Sequence, residues 1–306
     1  MPFTTAGHRQ TLEETYYAGE TLHLYPLPPP VLVTDRWCAY SDSSPLIEIV
    51  DRYDKSIEER IILPSTTPDT SITLEERLDS SFHNIPHVWT VLVEGTSKPP
   101  FPSRLVAKIY DPVWFGDAEW FDPFKLRNRS VSQEVESYHR FEALQGTKVP
   151  RFYGHFVTSL PSQCNRTVNV ILMEYVHGRD LRNLVPSDNA RLVCDMHKDV
   201  VIEAVLNLSW DAYTYGVDLF DLQPRNVILR PPKQGHEKQY CNSDECPLRL
   251  EVDPGGLQMV MVDFENVEFQ QPDLGWERER ERERERRKGI EKSKPIFLAS
   301  WLEAMM

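Results

Sequence analysis

Glycine is scarce in this chain, with 13 residues among 306. Tight left-handed turns and close backbone approaches to a ligand usually rely on residues without a Cβ, so few such places are on offer. Positive charge is also short: 34 lysines and arginines face 47 acidic residues, for a net charge of -13. That balance argues against a general binder of nucleic acid or of anionic membranes. No apolar run approaches the ~20 residues that a membrane span needs. The opening MPFTTAGHRQ has no apolar core after a basic patch, so no signal peptide is expected. The cysteines number five and are scattered. An odd, scattered set suits a reducing intracellular compartment (cytoplasm, with the nucleus open) better than a disulfide scaffold. None of these deficits prevents a core. Hydrophobic residues at 40% and charged residues at 26% are ordinary globular values.

Proline sets the first boundary. Pro26, Pro28, Pro29 and Pro30 exclude a helix or central strand there, so residues 1–30 read as an extended arm. Partial alternation in PLIEIVDRYDKSIEERIILP around RYDKS suggests a β-hairpin over 45–63. The turn-rich PSTTPDTS closes a 1–71 extension. Beyond it, VWTVLVEG and SRLVAKIYD read as strands. In SVSQEVESYHRFEALQG, Val131, Val135, Tyr138, Phe141 and Leu144 recur at spacings of three and four, which predicts an amphipathic helix ended by Gly146. VPRFYGHFV and VNVILMEYV follow as strands, then a long helix over 196–216, then two short β-rich runs, NVIL and LQMVMVDF. The order predicts an α+β fold: a small β-rich lobe (72–176) and a reduced, mainly helical one (177–270). Residues 271–306 form a charged tail. Its Glu–Arg alternation reads as a solvated helix or low-complexity stretch, with a protein partner as the alternative, and PIFLASWLEAMM as a short terminal helix.

Three pieces carry chemistry. In LVAKIYDP, Lys108 stands in an apolar strand, where an unpaired ammonium is expensive. Glu134 and Glu136 on the following helix are the available counter-ions. In FDLQPRNVIL, Asp221 and Asn226 stand five positions apart after a glycine-closed helix. In MVMVDFE, Asp263 ends an apolar strand. Carboxylate and amide oxygens suit Mg²⁺, which takes its remaining ligands from water and phosphates.

In this order the pieces resemble the protein-kinase superfamily over roughly residues 72–270. The flavour is that of the divergent kinase-like proteins of fungi, and more distantly of aminoglycoside and choline phosphotransferases. The resemblance implies a bilobal fold that binds ATP and Mg²⁺. Lys108 matches the lysine of VAIK, with Glu134 as preferred partner and Glu136 open. ILMEYVHG looks like the interlobe hinge, with Met173 as gatekeeper and the backbone of Glu174 and Val176 meeting the adenine. YGVDLFDLQPRN matches the catalytic loop, giving Asp221 the place of the catalytic base and Asn226 a metal position. VDFE puts Asp263 at the main Mg²⁺ ligand. The hydroxyl acceptor, protein or small molecule, stays open.

The sequence also departs from the pattern. LDSSFHNIPHVWTV, before Lys108, holds no glycine. Leu219 and Phe220 replace His-Arg, and Gln223 replaces the usual lysine. No A-P-E follows Asp263. Two functions are therefore expected in competition: an active phosphotransferase, and a pseudokinase that binds nucleotide or scaffolds without catalysis. The insertion over 230–256 brings His236, Cys241 and Cys246. With no second compact ligand pair beside them it reads as a surface loop with free thiols, and not as a zinc site. Cys38, Cys164 and Cys194 read as packing residues.

Overall fold

The computed structural model describes residues 15–34, 49–63, 68, 70–78, 86–95, 101–115, 121–185, 189, 192–231, 241–249, 252, 256–270 and 279–304. Helices and strands are mixed, as an α+β fold requires. The chain divides into two compact units, residues 1–135 with 152–175, and residues 136–151 with 176–306.

The first unit is built on a closed antiparallel barrel. Its strands are β1 (Thr21–Pro26), β2 (Thr70–Arg77), β3 (His87–Gly95), β4 (Arg104–Tyr110), β5 (Phe152–Leu160) and β6 (Arg166–Glu174), in the order β1-β2-β3-β4-β6-β5. Period-two alternation fills the interior. Leu22, Leu24, Ile72, Leu74, Trp89, Val91, Leu105, Ala107 and Ile109 all join one buried cluster. β1 pairs with β2 on one side and β5 on the other, which closes the ring and removes its free edges. The expected extended arm is therefore an integral strand up to Pro26. The prolines do end it: residues 27–30 take no regular structure.

The hairpin expected over 45–63 is instead a helix, α1 (Ile49–Glu58). Among its described side chains Arg52 and Ser56, four apart, are buried, and Tyr53 and Ile57 are half-buried beside them. That is a helical stripe, and the partial alternation of two was the weaker signal. Arg52 holds the helix down by donating to the carbonyl of Phe115 at 2.6 Å. α2 (Pro123–Arg140) starts seven residues before the expected helix. Asp122 caps it, accepting from the amide of Phe124 at 2.9 Å, with Pro123 at the first helical position.

A buried ion pair pins one end of the barrel. Asp111, just after β4, accepts two hydrogen bonds from Arg166, at the start of β6, at 2.8 and 2.7 Å. Tyr16 donates to the same carboxylate at 2.8 Å. Both charged side chains are fully buried. Burial alone would push the Asp111 carboxyl up, but the adjoining Arg166 guanidinium more than offsets this and holds it below the ordinary aspartate value.

The second unit carries α3 (Asp195–Thr214), α4 (Glu279–Ala304) and short strands: β7 (Arg179–Asp180), β8 (Val217–Leu219), β9 (Val227–Arg230), β10 (Gln258–Met261) and β11 (Val267–Phe269). They form a three-stranded sheet β10-β9-β7 and a pair β11-β8. The charged tail is not an appendage. From Ile290 onward α4 buries Ile290, Phe297 and Trp301, spaced at seven and four, and Trp301 Nε1 donates to the carbonyl of Leu181 at 3.1 Å. The helix continues through Pro295. PIFLASWLEA thus continues the charged helix and is not a separate short one. Residues 35–48, including Cys38, and residue 236 lie outside the described residues.

Asp111→Asn leaves the Arg166 guanidinium buried without its counter-charge. Loss of one partner of such a pair costs roughly 3–5 kcal/mol, to be read from urea denaturation at pH 7. Because the folded Asp111 titrates low, its contribution is complete above the unfolded aspartate value and fades as pH falls through the folded one. The gap between wild type and variant should therefore narrow in acid.

Candidate functional site

Lys108 lies in β4, a strand buried on both faces from Leu105 to Tyr110. Leu105, Ala107 and Ile109 fill the barrel, so Lys108 stands on the outer face with Val106 and Tyr110. Its register neighbours are Val88 on β3 and Ile171 on β6, both apolar. Such surroundings do not solvate an ammonium. α2 supplies the counter-charge: Lys108 Nζ is 3.0 Å from Glu134 Oε1, with side-chain exposures of 6% and 0%. Glu136 is engaged elsewhere. It accepts from Arg140 Nε at 2.7 Å, one helical turn along.

In the second unit, β8 leads into the loop of Asp221. Phe220 is half exposed, and Asp221 side-chain exposure is 26%. A short 3-10 turn, Pro224–Asn226, brings Asn226 back onto the aspartate. Asn226 Nδ2 donates to the Asp221 carbonyl at 2.9 Å and to its carboxylate at 3.2 Å. With its nitrogen so engaged, the buried amide leaves Oδ1 as the end for a cation. The Val262 amide donates to the Asn226 carbonyl at 2.9 Å, which ties the residue before Asp263 to the same loop.

Asp263 has φ 73, a left-handed backbone that a non-glycine residue adopts at a cost and that clusters at functional positions. Its neighbour Phe264 anchors the turn. Phe264 is fully buried and meets Tyr138 and Phe141 edge-on, with ring centroids 5.4 and 5.1 Å away. A carboxylate oxygen of Glu265 lies within 4.8 Å of one from Asp263. Of the remaining expected residues, Met173 is the penultimate residue of β6 with 3% exposure, Glu174 ends the strand half-buried, and Val176, in the second unit, has 7% exposure.

Neither a protein-family model nor a curated protein matches the sequence. Among solved structures, the chain aligns with a double-mutant form of the Mycobacterium tuberculosis PknI kinase domain at 16% identity, covering 66% of this chain and 62% of that one, with a TM-score of 0.35. A single-mutant form of the same domain gives 16% identity, 69% and 66% coverage and a TM-score of 0.37. WaaP in complex with acyl carrier protein aligns at 14% identity over 75% of this chain and 87% of that one, with a TM-score of 0.38. The chain thus spans less than two thirds of these two PknI domains. Likeness at this level assigns no activity.

Two residues of the second unit were not singled out by the sequence. Arg225 Nη2 lies 2.7 Å from Asp221 Oδ2. It brings a cation to the aspartate, and Arg225 also bonds the Gln223 side chain. The sequence held that signal, a basic residue four after the aspartate, but only a tight turn makes it close. Arg140 is the other. It donates to the carbonyls of Gly216 and Gln270 at 2.9 and 2.7 Å and stacks on Phe269. Gly216 has φ 74, and a Cβ there would sit 2.4 Å from the Gln270 carbonyl. Glycine is thus required where α3 turns into β8.

A double-mutant cycle on Lys108→Met and Glu134→Leu should show strong coupling. Each single change leaves a buried charge alone and should cost roughly 3–5 kcal/mol, while the double change should cost markedly less than the sum. Denaturant unfolding of the four proteins measures it, and additive losses would rule the pair out as a coupled unit.

Proposed function

We propose that this chain is a kinase-like phosphotransferase that moves the γ-phosphoryl group of ATP to a hydroxyl acceptor. The observation that carries the reading is the buried Lys108–Glu134 pair. An ammonium held on an apolar strand by a helix carboxylate is a fixed cation suited to phosphate oxygens, and burying it has little structural benefit otherwise. The paired Asp221 and Asn226 support the same reading.

In this reading Lys108 orients the α- and β-phosphates, and Met173, Glu174 and Val176 line the adenine end. Asp221 accepts the proton of the attacking hydroxyl as its oxygen bonds to the γ-phosphorus and the bond to ADP breaks. Arg225 supplies positive charge beside that aspartate. Asn226 Oδ1 and the Asp263 carboxylate are hard oxygen donors that fit Mg²⁺. When bound, Mg²⁺ would neutralise phosphate charge.

A pseudokinase is the competing reading, favoured by one geometric fact. The Asp221 carboxylate already takes bonds from Arg225 and Asn226, which restrains it as a base.

Thermal unfolding with millimolar ATP and Mg²⁺ separates binding from no binding. Ligand at a hundred times its dissociation constant stabilises by about 2.7 kcal/mol. Wild type should show the shift, and Lys108→Met and Asp263→Asn should lose most of it. No shift in wild type overturns the nucleotide reading. ATP turnover then separates the two functions. Asp221→Asn should lower it by roughly 10²–10⁴, and Arg225→Ala by up to about 10²–10³. A shift without turnover selects the pseudokinase, and turnover indifferent to Asp221 rules that residue out as the base.

A further inference from the structure

Four metal-ligating side chains that the phosphotransfer reading leaves unused come together in the second unit. Cys194 caps the start of α3, and His197 sits in its first turn. Cys241 and Cys246 come from the segment joining β9 to β10. One ligand atom from each, three sulfurs and an imidazole nitrogen, all lie within 4.8 Å of one another. Cys194 Sγ and Cys246 Sγ are each 3.3 Å from His197 Nδ1. His197 is fully buried, and Cys241 and Cys246 are nearly so. The three thiols nevertheless form no disulfide.

Two hydrogen bonds point to what fills the centre. His197 Nε2 lies 3.3 Å from the Val252 carbonyl. Donation there puts the ring proton on Nε2 and leaves the Nδ1 lone pair facing the sulfurs, the arrangement by which a backbone carbonyl orients a metal-bound histidine. The Cys194 amide also donates to Cys246 Sγ at 3.5 Å, a bond that favours the thiolate. A tetrahedral ion with metal–sulfur bonds of about 2.3 Å separates its sulfurs by about 3.8 Å, which fits a cluster of this span. Three thiolates and one imidazole are the soft, closed donor set of structural zinc.

We propose that Cys194, His197, Cys241 and Cys246 bind one structural Zn²⁺. All four positions are taken by protein, so no position is left for substrate. With three thiolates the site carries a net charge of about -1 beside the positive end of α3, which is favourable. The ion would clamp the β9–β10 connection onto the first turn of α3. The strands on either side of that connection lead to the candidate site. β9 begins at Val227, next to Asn226, and β10 ends at Met261, two residues before Asp263. The zinc site would thus frame the two strands that deliver the proposed Mg²⁺ ligands, yet it does not depend on the catalytic reading.

The test uses the full chain, free of any histidine tag, purified reduced and then exposed to Zn²⁺ alone. Elemental analysis should find one zinc per chain. Cys241→Ser and Cys246→Ser should lose it, and Cys164→Ser, at an exposed thiol outside the cluster, should keep it. Because a ligand variant can fail to fold, Co²⁺ is titrated into wild type in parallel. It should give the intense visible bands of a tetrahedral thiolate site, bleached by Zn²⁺, with protons released as the thiols bind. A reduced wild type that takes up neither ion overturns the proposal. So does zinc retained in Cys246→Ser, or a disulfide among these three cysteines in reduced, freshly purified protein.

Discussion

A buried ammonium has to find a counter-charge, and much of the first unit is arranged around that need at Lys108. β4 must be buried on both faces to complete the barrel on one side and meet α2 on the other. An outward-facing lysine at its centre is tolerated because α2 delivers Glu134, itself without exposure. The helix register follows from this. With Glu134 committed to the strand, Glu136 points about two residues further round the helix and takes Arg140 instead. The Asp111–Arg166 pair acts in a related way at the end of β4, tying the same strand to β6 through a fully buried bidentate contact. Two buried ion pairs, one on β4 and one just after it, are costly relative to apolar packing. The Asp111 pair is explained by barrel closure, whereas the Lys108 pair adds nothing the apolar face could not do better unless the charge is used.

The second unit is held differently. Its strands are short, so side chains do much of the positioning. Arg140 gathers Gly216 and Gln270, and Phe264 wedges against Tyr138 and Phe141 to hold the turn in which Asp263 takes its left-handed backbone. Asn226 commits its amide nitrogen to Asp221, fixing which end of the amide is free. The Cys/His cluster would complete this pattern by anchoring the connection between the strands that carry Asn226 and Asp263.

Departures from the kinase pattern acquire a second meaning in three dimensions. Gln223 stands where the resemblance led to the expectation of a lysine, and Arg225 two residues later brings a guanidinium to Asp221 through a tight turn. The same guanidinium restrains the carboxylate, so one contact serves both functional readings and only chemistry can separate them. The charged tail also changes standing. The helix that carries the Glu–Arg tract goes on to bury Trp301 against Leu181.

The sequence by itself determined the mixture of helices and strands, the strands around Lys108 and Met173, and the long helix before Gly216, which ends at Thr214. Period-two runs and a lysine in an apolar strand are local signals, and local signals survive in one dimension. It misread residues 45–63 as a hairpin because the helical stripe there mixes Tyr53 and Ile57 with the buried polar Arg52 and Ser56, so local alternation of two was read in its place. It placed residues 1–30 outside the fold because strand pairing between β1 and β5 spans more than a hundred residues. Tertiary structure alone decided that Glu134 and not Glu136 meets Lys108: two residues apart, they point to opposite sides of the helix, and only the packing of α2 shows which side meets β4. It alone joined Cys194 and His197 to Cys241 and Cys246. Neither half of that set is a compact metal motif, and only folding brings a helix start and a distant loop to within bonding reach.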